Sequence, residues 1–292
     1  MKDKIVQEQK SSFYRDAFKR FRKHKLAMAG CAVIVAEMQV FFLLPLVTEL
    51  DPIAIDKTVQ IYSGPSGAHL LGVDNLGRDN FARFIYGGRV SLTIGLLSAM
   101  VSFLIGVPLG MIAGYYRGVA EMVIMRLCEI FMAFPSMVIL LVLAAVFGSS
   151  LPLLTVIIGF LGWPAFCRLM YANVLTYKEK DYVEAARAVG TKNGPIMLRY
   201  IFPNAFSPLL IAFTFRCASA ILTESSLSYL GLGIKAPNAS WGSILNICQS
   251  ITVMSRMPWM WLVPGITLVV TVLSINFFGD GLRDAFDPRT KI

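Results

Sequence analysis

Two groups of residues in this 292-residue chain are placed to do chemistry. The first is a set of charges inside long apolar stretches: Glu37, Arg216 and Glu224. An ionisable group in hydrocarbon is costly, so its default reading is functional. Arg216 and Glu224 are slightly over two helical turns apart, so they face similarly but lie too far apart to pair simply. They either line a polar path for a solute or hydrogen-bond between helices or subunits, and Glu224 also suits a helix end. Glu37 sits mid-way along the first apolar stretch, beside Gln39. The second group is the polar segment 181–203, DYVEAARAVGTKNGPIMLRYIFP. Asp181 suits a helix N-cap, with Glu184 three residues on as in a capping box. Ala185, Ala186 and Ala188 leave the helix surface thin, and Gly190 suits a left-handed end. Asn193-Gly194-Pro195 turns the chain into a second short helix, which Pro203 closes. A thin, capped helix of this kind fits a groove on another protein; the alternative is a solvated connector.

Other chemistry is not written in the chain. No Gly-x-x-x-x-Gly-Lys-Ser/Thr phosphate loop occurs, so ATP hydrolysis by that route is excluded. No Ser/His/Asp, Cys/His or paired-carboxylate arrangement in a watery setting suggests an enzyme. His24 and His69 are far apart, which argues against a histidine metal site, and no cofactor is expected. Cys31, Cys128, Cys167, Cys217 and Cys248 form no C-x-x-C pair, and four of the five lie in apolar runs, as packed free thiols do.

The elements that position these groups are membrane helices. The chain is 56% hydrophobic and 15% charged, against about 25% charged for a soluble protein. Its net charge of +9 comes from Lys and Arg flanking apolar spans, which points to membrane lipid and not to nucleic acid. Six windows are long enough to cross: Leu26–Leu50, Val90–Tyr115, Glu121–Phe147, Leu151–Tyr171, Phe206–Leu230 and Trp259–Phe278. The fold class is therefore all-α and polytopic. The first window follows a long basic segment and is expected to stay as an anchor, not to be cleaved as a signal peptide. Six spans put both termini on one side. That side, with the segment 172–203, carries 18 Lys and Arg against six on the other, which predicts a cytoplasmic location for it. Before the first span, Phe13, Tyr14, Ala17, Phe18 and Phe21 make one face of a basic amphipathic helix expected to lie in the interface. Phe81, Phe84 and Ile85 predict a short outer-surface helix before the second span. Gly106, Gly110 and Gly114 form a close-packing stripe, facing either this bundle or a partner. Pro108, Pro135 and Pro164 are candidate kinks.

Residues Glu184, Ala185, Ala186 and Gly190, followed by Tyr200, Phe202 and Pro203, resemble the EAA loop of ATP-binding-cassette importer permeases. Leu71-Gly-Val-Asp-Asn-Leu-Gly-Arg-Asp79, Ile221–Gly233, Ser240-Trp-Gly242 and the segment from Gly279 to Arg289 are similar to the second permease subunit of peptide/nickel importers, the dipeptide/oligopeptide permease C type. The resemblance runs through almost the whole chain, although the loop ends Tyr-Ile-Phe-Pro where His-Ile-Leu-Pro is more usual. It implies a five-helix importer core (90–292, with the coupling loop at 172–203) preceded by an N-terminal unit (1–89) of interfacial helix, extra span and external loop. It implies a second homologous permease, two ATP-binding subunits docked at the loop, an extracellular substrate-binding protein, and a bacterial or archaeal cell membrane. Di- or oligopeptides are the implied solutes, with glutathione or nickel chelates as alternatives in the same family. Outside it stand a proton-coupled transporter using Glu37, Arg216 and Glu224 as a relay, and a scaffold or channel component.

Overall fold

The computed structural model describes residues 18–286. Among them all regular elements are helices, and β-pairing is limited to the isolated bridges Ile55–Arg78 and Val73–Asp79. Five helices are long and apolar enough to cross a membrane: α1 (Lys25–Val47), α2 (Asn80–Tyr116), α5 (Leu151–Lys178), α7 (Asn193–Tyr229) and α10 (Pro258–Phe286). Between α2 and α5 lie α3 (Gly118–Ala133) and α4 (Ser136–Phe147), which pass the same test jointly and meet at 81°. Short helices α6 (Asp181–Ala188), α8 (Trp241–Ile247) and α9 (Ile251–Arg256) lie in the connections.

The spine of the fold is α2 packed on α5. Ser98 Oγ donates to the Thr155 carbonyl at 3.0 Å and Ser102 Oγ to the Gly159 carbonyl at 2.7 Å, each partner 57 residues on. The glycine stripe continues this line. A Cβ at Gly106 would overlap the Trp163 carbonyl, one at Gly110 the Cys167 carbonyl, and one at Gly114 would stand 3.1 Å from the Tyr171 carbonyl, each again 57 residues on. The stripe therefore faces this chain's own bundle. A constant offset means the two helices are parallel. The chain leaves α2 at one end of the bundle and must enter α5 at the other, so the bent α3–α4 pair is one traversal and the crossings among the described residues number six. Pro135 causes the bend: Phe134 before it is forced extended (φ −100°, ψ 140°). Pro108 and Pro164 stay within uninterrupted helices.

Helices α7 and α10 run antiparallel to their neighbours. Gly95 abuts Ile221, and Gly279 abuts Thr214. α1 joins last, with Gly30 against the Ser274 carbonyl. At its far end Phe41 packs edge-to-face on Phe84 and Trp241, with centroids 5.5 and 5.3 Å apart. The two ends of the described residues, Phe18 and Phe286, and the 179–192 connection thus lie at one end of the bundle, and the 48–79 and 230–257 segments at the other.

Two expectations change. The outer-surface helix is not separate: Asp79 accepts from the Phe81 and Ala82 amides, and the helix it caps runs on unbroken to Tyr116. Pro203 does not close a short helix; α7 passes through it, through a π-helical turn at Ile196–Ile201. A similar π turn, Gln39–Leu43, precedes Pro45 in α1. Proline offers no amide to the carbonyl four residues back, and in both helices that carbonyl falls within the widened turn. Most of the amphipathic N-terminal helix, including Phe13, Tyr14 and Ala17, falls outside the described residues. Residues 18–23 are helical, and Phe21 packs edge-to-face on Phe278 at 5.5 Å. The five cysteines are free thiols, four of them buried.

Candidate functional site

The connection between α5 and α7 is built around α6. The chain is extended at Lys180 (φ −83°, ψ 142°), so the N-cap is Lys180, one residue before the cap expected at Asp181. Lys180 gives no side-chain cap, and no capping box forms. Asp181 and Glu184 instead occupy the first turn, with Arg187 in the last, each sign favourable to the helix dipole. The C-terminus is a complete Schellman motif. The Thr191 amide donates to the Ala186 carbonyl at 3.1 Å and the Gly190 amide to the Arg187 carbonyl at 2.9 Å. Gly190 carries φ +84°, the left-handed conformation that glycine takes without cost.

The helix presents two apolar faces. Val183 is fully buried and Ala186 nearly so, both turned to the bundle, where Val183 joins a core containing Tyr115, Phe166, Met170, Val174, Ile196 and Ile201. Tyr182, Ala185 and Val189 form an exposed stripe at helical spacing beside that face, and Val189 is 87% exposed. Ala185 and Gly190 are thus outward and Ala186 inward; a Cβ at Gly190 would meet nothing within 4 Å. Glu184 is exposed. Partial burial pushes the Tyr182 phenol above its ordinary value, keeping it neutral. Tyr182 and Val189 escape a motif-based reading, though their spacing from Ala185 is visible in the sequence.

Polar contacts tie this connection to the spine. Tyr115 Oη donates to Asn193 Oδ1 at 2.8 Å, and Lys178 Nζ donates to the Tyr115 carbonyl at 2.6 Å. Tyr171 donates to Glu121, which Arg117 also approaches at 3.1 Å. The ends of α2 and α5 and the starts of α3 and α7 are thereby linked.

The intramembrane charges do not meet one another. Arg216 Nη2 donates to the Ile158 carbonyl at 2.6 Å and its Nε to Ser102 Oγ at 3.3 Å, with the guanidinium lying where a Cβ on Gly162 would stand. Glu224 is wholly buried. It accepts from Ser91 Oγ at 2.9 Å and Ser228 Oγ at 2.7 Å, and Ser91 Oγ in turn accepts the Trp241 amide. Glu37 Oε1 accepts from Thr271 at 2.8 Å, while its buried Oε2 lacks a hydrogen-bond partner. Arg168, exposed on α5 with Nη1 3.6 Å from Met132 Sδ, is a further ionisable side chain within an apolar helix that sequence reasoning passes over. Among the described residues no group of His, Cys, Asp and Glu has the makings of a metal site.

Residues 106–292 match the family described as binding-protein-dependent transport system inner membrane component, and residues 12–65 match the N-terminal transmembrane domain of oligopeptide transport permease C. The glutathione transport system permease protein GsiD of Pectobacterium atrosepticum is 37% identical over 278 residues, covering 95% of this chain and 92% of that protein. The dipeptide transport system permease protein DppC of Alkalihalophilus pseudofirmus is also 37% identical over 278 residues, covering 95% and 90%. Among solved structures, the MetNI methionine ABC transporter in an inward-facing form aligns with TM-score 0.57 at 20% identity, covering 70% of this chain and 97% of that one, a likeness of fold.

Proposed function

From a chain that belongs to the binding-protein-dependent transport system inner membrane component family, we propose a subunit that imports di- or oligopeptides, driven by ATP hydrolysis in partner chains. It is a polytopic ABC importer permease of the peptide/nickel type. The observation that carries the mechanism is α6, a short helix with a fixed Schellman end, an inward face locked into the core and an apolar outward stripe of Tyr182, Ala185 and Val189. Exposed apolar residues in line on a polar connection suit a groove on another protein. In this reading Glu184, Ala185 and Gly190 shape the contact with an ATP-binding subunit, Ala186 seats the helix on its own bundle, and Pro203 sets the π turn through which movement enters α7. Two such ATPases, a second homologous permease and an extracellular binding protein complete the assembly. Both chain ends and the 172–203 loop face the cytoplasm of a bacterial or archaeal cell. Residues 90–292 act as the importer core and 1–89 as an added N-terminal unit. Arg216, Glu224 and Glu37 belong to the helices that rearrange to open the path; Arg216 and Glu224 hydrogen-bond to hydroxyls and a carbonyl and not to each other, so helices can shift without separating an ion pair. The 37% identity to a glutathione permease keeps that γ-linked peptide as the alternative solute.

The test is uptake of a labelled dipeptide by proteoliposomes holding the full assembly and binding protein. Uptake is expected to need internal ATP and to survive a protonophore. Uptake that continues without ATP and stops with the protonophore would establish the proton-coupled transporter in its place.

A further inference from the structure

The outer end of the bundle holds a buried charge imbalance. Asp74 is fully buried, with its Oδ1 accepting the Leu76 and Arg78 amides at 2.8 and 3.0 Å. Its Oδ2 takes Arg78 Nη2 at 2.6 Å and Nε at 2.7 Å, and lies 3.5 Å from Arg83 Nε. Arg78 is 6% exposed and Arg83 3%. Two buried guanidiniums thus share one carboxylate. The remaining Arg83 contact is a long one, Nη1 to the Pro52 carbonyl at 3.5 Å. A buried charge left without a full partner is expensive.

Both arginines line a cavity of about 250 Å³ between the outer loop, the end of α7 and α8. Lys235 stands on its wall, with amides from Asn75, Asn238 and Asn246. No carboxylate is among the lining residues. Besides Asp74, already shared by the two arginines, Glu224 lies behind Ser228 and is occupied by serine hydroxyls. Surplus positive charge, a polar space the size of a small group and amide donors on the wall are the features of an anion subsite, and arginine's planar fork suits carboxylate.

We propose that this outer cavity binds a carboxylate. It rests on the peptide reading above only for one source of that group, the free C-terminus of an arriving solute; the other source is an acidic side chain of the docked binding protein. The site would hold the anion at the outer mouth before the path opens, giving the importer a preference for free-acid solutes separate from the binding protein's own choice.

The test uses the assembled importer with a cysteine-depleted chain carrying Asn238→Cys on the exposed wall. Anionic and cationic methanethiosulfonate reagents of equal size are compared. The anionic reagent should react about tenfold faster, and Lys235→Gln, an exposed change that leaves the buried arginines in place, should cut that preference severalfold. Equal rates for the two reagents would overturn the proposal. A dipeptide that slows labelling while its C-terminal amide does not assigns the carboxylate to the solute. Slowing by the binding protein, whichever form it carries, assigns it to that protein. If neither slows labelling, the cavity takes no carboxylate and the proposal is overturned, whatever the charge preference. Wild-type vesicles that take up no peptide while the charge preference and protection by binding protein persist would sink the peptide reading and leave this site standing.

Discussion

Tyr115, at the last turn of α2, donates its hydroxyl to Asn193 Oδ1, at the first turn of α7, across 2.8 Å. The same residue's carbonyl receives Lys178 Nζ from the end of α5, and the ammonium lies 5.4 Å from the Tyr115 ring centroid. One side chain therefore joins the three spans whose ends frame the α6 connection. Tyr115→Phe removes the hydroxyl and keeps the ring in its core cluster. The expected outcome is normal membrane abundance with a severalfold loss of ATP-driven uptake, since one side chain–side chain hydrogen bond contributes about 1 kcal/mol. Unchanged uptake with this variant would remove the bond from the coupling route.

Gly190 is set by backbone and not by space. Asparagine tolerates the left-handed region and should preserve uptake at Gly190→Asn. Gly190→Val should cost about 1–2 kcal/mol locally, loosen the Schellman end and reduce uptake while insertion stays normal. Equal uptake by the two variants would show that the φ of +84° does not matter to function.

Adjacent alanines should separate two effects. Ala185→Arg places bulk and charge on the outward stripe, and is expected to abolish binding of the ATPase subunits while the permease keeps its melting temperature. Ala186→Leu overfills the inward face and should destabilise the permease by about 1–3 kcal/mol. The reverse pattern, with Ala186→Leu blocking ATPase binding in a stable permease, would exchange the roles of the two faces.

Gly110→Leu drives a side chain into the Cys167 carbonyl and Met170 Cβ, the latter 2.9 Å from a bare Cβ. The α2–α5 pair must then separate. A sharp drop in membrane abundance is expected, whereas Leu104→Ala, on a 63% exposed face of the same helix, should leave abundance unchanged. Full abundance of Gly110→Leu would contradict the packing of the stripe.

Orientation is checked by thiol labelling in a cysteine-depleted chain. Ser63→Cys should react with an impermeant reagent added to intact cells, and Thr191→Cys only after the membrane is opened. The expectation rests on the 18-to-6 distribution of Lys and Arg. Labelling of Thr191→Cys from outside intact cells would invert the topology.

The crossings and their order were legible in the sequence because a bilayer demands about 20 apolar residues per helix, but of the three candidate kinks Pro108, Pro135 and Pro164 only Pro135 breaks its helix. Helix ends were less so. Nothing local stops α2 from extending outward to Asn80, since Gly87 and Gly88 serve close contacts, with Ser240 and the Phe41 ring, instead of ending a helix. The continuity of α7 was hidden because a π turn absorbs Pro203. The motif of α6 was plain, but Ala185 and Ala186 are identical in type, and only the partners of Val183 tell which is inside. The Asp74, Arg78 and Arg83 cluster was invisible, since a charge-rich outer loop reads as solvated until folding buries it.

The unvarying offset of 57 residues along α2 and α5 has a mechanical meaning. Two parallel helices locked at five successive levels behave as one plate, whose lower edge carries both Tyr115 and Lys178. Under the proposed coupling, a push on α6 reaches that edge at once through both helices, so the plate tilts as a body and its members do not slide past each other. Compliance must then reside elsewhere, in the hinged α3–α4 traversal and in the π turn of α7, the two places where proline has already loosened the ladder of hydrogen bonds.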